Sequence, residues 1–85
     1  MFTVKIVEVT GDTLEFALLR IEVENGGEPI KDLITRKTCT LMATHFLTVR
    51  QISTNSFGRM CNAVRLAETY ADLLALVDEP FVNVH

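Results

Sequence analysis

The chain has 85 residues, 48% of them hydrophobic and 22% charged, with a formal net charge of −3. That length supports one domain burying about 60–65% of its unfolded surface, which excludes a second core, and the apolar content excludes a disordered chain. The charges are segregated: residues 1–32 hold seven acids against Lys5, Arg20 and Lys31, residues 33–67 hold Arg36, Lys37, Arg50, Arg59 and Arg65 with no acid, and residues 68–85 hold Glu68, Asp72, Asp78 and Glu79 with no base.

Residues 2–9 read as a strand, because Phe2, Val4 and Ile6 alternate with Thr3, Lys5 and Val7 and β-branched side chains dominate. Thr10-Gly11-Asp12-Thr13 is a turn. Residues 14–24 fit two periods. Ile21 and Val23 alternate with Arg20, Glu22 and Glu24, as in a strand, while Leu14, Ala17, Leu18 and Ile21 lie at helical spacing and Asp12 with Glu15 has the form of a capping box. The strand is preferred, since Asn25-Gly26 is a strong hairpin signal that would join Glu24 to a segment beginning at Glu28. The apolar run of residues 16–19 then suits a central strand or one with a bulge.

A helix is predicted over residues 37–52, with Leu41, Met42, His45, Val49 and Ile52 on its apolar arc and Lys37, Thr40, Thr44, Thr48 and Gln51 opposite. Ser53-Thr54-Asn55-Ser56 breaks it and offers several N-caps. A second helix is predicted over residues 57–77, with Phe57, Met60, Val64, Ala67, Ala71, Leu74 and Ala75 in one stripe and Arg65 paired to Glu68. Asp78, Glu79 and Pro80 end it, although acids at a helix C-terminus oppose the macrodipole. Residues 81–84 are strand-like and suited to returning to the sheet edge. The expected fold is a single α+β domain over residues 1–85: an N-terminal antiparallel meander of two or three strands packed against two helices, with a short C-terminal strand.

Cys39 and Cys61 are read as reduced core thiols, because a small secreted domain usually carries several bridges and the first residues lack the basic start and apolar run of a secretory signal. No apolar run approaches the roughly 20 residues of a membrane span. The expected location is cytoplasmic, the host cytoplasm if the chain is phage-encoded. The four glycines never fall into the spacing of a phosphate loop. Cys39, His45, Cys61 and His85 lack any close pair of zinc-binding spacing, so neither metal nor cofactor is expected, and His45 reads as a core histidine. No nucleophile, base and oxyanion site converge in the sequence, which predicts a non-enzyme.

Two functional readings follow. In the first, the chain is a small non-catalytic interaction module whose acidic hairpin face, Glu8, Asp12, Glu15, Glu22, Glu24 and Glu28, occupies a surface on a larger protein. By class-level analogy, small acidic proteins of this kind include inhibitors and accessory proteins of phages and mobile elements whose partners themselves bind nucleic acid. In the second, Ile52-Ser53-Thr54-Asn55-Ser56-Phe57-Gly58-Arg59-Met60-Cys61-Asn62 resembles the turn and recognition helix of helix-turn-helix DNA-binding proteins. The resemblance implies that Ile52, Phe57 and Met60, with Cys61 as a further candidate, are anchors and that Thr54, Asn55, Ser56, Arg59 and Asn62 face phosphates or base edges. Leu47 and Arg50 depart from that pattern, standing where a small residue and an apolar anchor are usual. The second reading implies a dimer paired through the sheet or its last strand, and under either reading a homodimer that closes the core through a two-fold partner stands beside a monomer as an expectation.

Overall fold

A computed structural model describes residues 2–84. Strands β1 (Thr3–Thr10), β2 (Leu18–Glu24) and β3 (Ile30–Thr35) form an antiparallel meander. Helices α1 (Arg36–Thr48), α2 (Ser56–Leu66) and the short α3 (Tyr70–Leu74) follow, and β4 (Phe81–Val82) returns to pair with β1, giving the sheet order β3-β2-β1-β4. This is the expected α+β architecture. Among the described residues no helix is long and apolar enough to cross a membrane.

The core lies between one face of the sheet and the helices. Val4, Ile6, Leu19 and Ile21 point into it from the strands, and Cys39, Ala43, Met60, Cys61, Val64 and Leu73 meet them from the helices. The alternation in β1 is interrupted: Ile6 is opposite Ile21, but Glu8 is opposite Arg20, so Val7 is an extra residue in a bulge. Strict alternation from Val4 and Ile6 would turn Glu8 into the core. The bulge shifts the phase, bringing Val9 opposite Leu19 against the core and Glu8 to the other face.

Four sequence expectations are corrected. The strand expected over residues 14–24 is limited to Leu18–Glu24, because residues 11–17 form a connection closed by Ala17 N–H on the Leu14 carbonyl. The helix expected over residues 37–52 ends at Thr48, where Arg50 adopts φ 59° and the N–H groups of Arg50 and Gln51 close on the Leu47 and Phe46 carbonyls. That is the Schellman termination, with arginine in the left-handed position glycine usually fills. The buried arc of α1 is Cys39 and Ala43, joined by half-buried Met42 and Phe46, so Leu41 and His45 face solvent instead of the core. Its outward threonines satisfy their hydroxyls along the helix, Thr44 on the Thr40 carbonyl and Thr48 on that of Thr44, which accommodates their modest helix propensity.

The fourth correction concerns the last helix, which is divided. Ala67 leaves helical geometry at ψ 126°, and Thr69 starts α3 with a reciprocal cap: its hydroxyl accepts from Asp72 N–H, while the Asp72 carboxylate accepts from Thr69 N–H. The acids at 78 and 79 therefore lie beyond the end of α3, and the conflict with a helix dipole disappears. Asp78, at φ 69°, instead donates its N–H to the Ile6 carbonyl at 2.8 Å.

Candidate functional site

The six acids expected to form one face are distributed over three places. Glu22 and Glu24 stand on the sheet face away from the helices because they alternate with Ile21 and Val23, and the bulge at Val7 turns Glu8 to the same face. Asp12 and Glu15 lie in the β1–β2 connection, and Glu28 lies in the β2–β3 connection at the opposite end of β2. Bases stand beside Glu8 and Glu22, whereas Glu24 is opposite Thr3. Glu22 is directly opposite Lys5 on one side and Lys31 on the other, and Arg20 Nε donates to Glu8 Oε1 at 3.4 Å. The face thus carries Lys5, Arg20 and Lys31 against Glu8, Glu22 and Glu24. It is charge-balanced rather than acidic, and each cross-strand pair of this type contributes about 0.2–1 kcal/mol. Half-buried Leu18 and exposed Leu33 share it.

The helix-turn-helix-like residues are engaged within the chain. Asn55 caps α2 by accepting from Gly58 N–H at 3.1 Å, and Ser56 is fully buried with its N–H on Asn83 Oδ1 at 2.7 Å. Thr54 donates its hydroxyl to the Gln51 carbonyl, and Arg59 Nη1 donates to the Val82 carbonyl at 3.0 Å. Asn62 accepts from both Nε and Nη2 of Arg65, at 3.1 and 2.7 Å, which replaces the Arg65–Glu68 pair expected from sequence. α2 packs on β1, β4 and α1 through Gly58, Met60, Cys61 and Val64, so its outward face retains Arg59 as its exposed base, beside half-buried Arg65.

Cys39 and Cys61 are unbridged and fully buried where α1 meets α2. The adjoining Cys39 thiol, as a hydrogen-bonding neighbour of the protonated form, together with burial and the charge Cys39 would carry, pushes the Cys61 thiol far above its ordinary range. It is a packed thiol, and its ionised, nucleophilic form is disfavoured. His45 is exposed with its ring edge-on to Phe46 at 5.8 Å, and His85 lies outside the described residues. Among the described residues no three His, Cys, Asp or Glu side chains converge in a group suited to a metal.

Sequence reasoning missed a cleft of about 430 Å³ lined by Glu15, Phe16, Thr35, Arg36, Lys37 and Thr40. The strand expected over residues 14–24 would include Phe16, but the residue is 76% exposed in the connection before β2. The available signal was the density of turn-forming residues at Gly11, Asp12 and Thr13. Comparison of the chain with protein-family models, with curated proteins and with solved structures finds no match.

Proposed function

We propose that the chain is a non-catalytic interaction module that occupies a surface on a larger protein partner, docking through the sheet face that carries no helix. The supporting observation is one-sidedness. Buried residues from all three helices meet one face of the sheet, while the other presents Lys5, Glu8, Arg20, Glu22, Glu24 and Lys31 around Leu18 and Leu33. A mosaic of both charge signs selects a partner by register, because each mispositioned like-charge contact is penalised, while its balanced total gives little long-range steering. This changes the expectation drawn from net charge. The balance removes the reason to expect imitation of a nucleic acid's negative field, and the partner is instead a protein face with a complementary arrangement of both signs.

The reading is tested by affinity capture from the native cell with the wild-type chain and with the double variant Glu22→Lys/Glu24→Lys in parallel, quantified by mass spectrometry. A protein held by the wild type and depleted about tenfold or more by the variant supports it. A partner held equally by both removes the sheet face from the mechanism. Recovery of nucleic acid, lost on Arg59→Ala/Asn62→Ala, would favour the helix-turn-helix reading instead.

A further inference from the structure

Self-association through the sheet, the route the sequence suggests, meets obstacles at both edges. β4 is only two residues long, and its Val82 carbonyl already accepts from Arg59. β3 carries Lys31 and Asp32, and the Asp32 carboxylate takes the Leu33 N–H at 2.8 Å. Short strands and charged side chains are the features that keep sheet edges from pairing. The most exposed large apolar residue among those described lies elsewhere: it is Phe16, at the cleft beside the start of α1.

The connection that presents Phe16 is already ordered. Gly11 sits at φ 105°, and a Cβ there would be 2.9 Å from the Phe16 carbonyl oxygen, so the chain closes tightly at that point. Phe16 N–H is held by Thr13 Oγ1, and the Ala17 carbonyl accepts from Arg36 N–H at 3.0 Å, which fastens the connection to α1. An exposed aromatic on such a support can be buried by a partner with little further ordering cost, the circumstance in which one side chain dominates an interface.

The rim of the cleft indicates the occupant. Glu15 and Lys37 both line it, and among the described residues neither makes an ion pair in its own chain. The guanidinium of Arg36 is turned away to the Arg65 and Ala67 carbonyls at the end of α2. A ligand of one charge sign would gain at one of the two rim charges and lose at the other. A second copy related by a two-fold axis gains at both, because Glu15 then meets Lys37 of the partner subunit and the reciprocal pair forms by symmetry. We propose that the chain forms a two-fold dimer through this cleft, with Phe16 packed against its counterpart across the axis and Glu15 paired to the partner's Lys37. This surface is centred on Phe16 and adjoins, at Thr35 and Leu18, one end of the sheet face assigned to the larger partner.

Sedimentation equilibrium of the full chain tests it. The expected mass rises with concentration from 9.5 kDa towards twice that value. Phe16→Ser is expected to weaken association about tenfold or more. Glu15→Lys and Lys37→Glu should each weaken it, and their combination should restore it. Ile30→Ser, at a residue 67% exposed by the opposite end of the sheet, is expected to leave association unchanged, with circular dichroism checking that every variant is folded. A monomer mass at all concentrations overturns the proposal, and so does a dimer that Phe16→Ser leaves intact, that Ile30→Ser weakens equally, or that the combined charge exchange fails to restore.

Discussion

The Phe46 ring lies so close to the backbone of Gly58 that a Cβ at residue 58 would be 2.9 Å from the ring's Cγ. This contact sets how closely α1 approaches α2, and Phe46 also meets Phe57 edge-on at 6.2 Å. An alanine in a helix is ordinarily better than glycine by about 1 kcal/mol. Here the reverse is expected: Gly58→Ala should destabilise by about 1–3 kcal/mol, since the obstructing atom is the root of the ring and not its mobile end. Urea unfolding reads the effect, and Phe46→Leu in the same chain should remove much of it.

Arg50 holds φ 59° at the end of α1, where its N–H donates to the Leu47 carbonyl and the N–H of Gln51 to that of Phe46, and its side chain is exposed. The left-handed conformation costs a residue with a Cβ roughly 1 kcal/mol relative to glycine. Arg50→Gly should therefore raise stability by about 0.5–1 kcal/mol in the same measurement, whereas Arg50→Val should lower it.

Thr69 and Asp72 hold the break between α2 and α3. The backbone N–H groups of Glu68 and Thr69 donate to the Asp72 carboxylate and lower its pKa from the ordinary 3.8, assisted by the Thr69 side chain. A carboxylate with a depressed folded pKa stabilises above its unfolded pKa, and the contribution is lost as pH falls through the folded value. The melting temperatures of wild type and Asp72→Asn should differ at neutral pH and converge in acid below the ordinary carboxylate range. Thr69→Ala should cost about 1 kcal/mol at neutral pH.

The Cys39–Cys61 pair gives the opposite pH dependence. Folding raises the Cys61 pKa above its ordinary 9.0, so its contribution is present below that value and lost as pH rises and the unfolded thiol ionises. Stability should fall above about pH 9 in the wild type and less steeply in Cys61→Ala. Labelling by a thiol-specific disulfide reagent in native buffer should proceed only as fast as the structure opens, and urea below the unfolding transition should accelerate it.

Much of the fold was legible in local pattern. Val4 and Ile6 alternating with Thr3 and Lys5 specify a half-buried strand, Asn25-Gly26 marks the turn that joins β2 to β3, and the apolar residues beyond Pro80 form the returning strand. Even the division of the last helix had a local sign in Thr69-x-x-Asp72, which the longer apolar stripe of residues 57–77 obscured. The candidate site was far less legible. Glu22 in sequence is one acid of an acid-rich third of the chain, and nothing local says that Lys5 and Lys31 stand on either side of it.

By itself, then, the sequence determined an α+β architecture with the strand meander ahead of the helices and a returning C-terminal strand, because hydrophobic period and turn chemistry act over a few neighbouring residues. Tertiary structure decided what each charge faces. A single extra residue at Val7 turns Glu8 out to Arg20, Arg59 and Asn83 become the links between α2 and β4, and Phe16 leaves its apolar run for the surface. Register, bulges and helix approach are set by contacts between residues far apart in the chain, and they converted an apparently acidic hairpin into a balanced face.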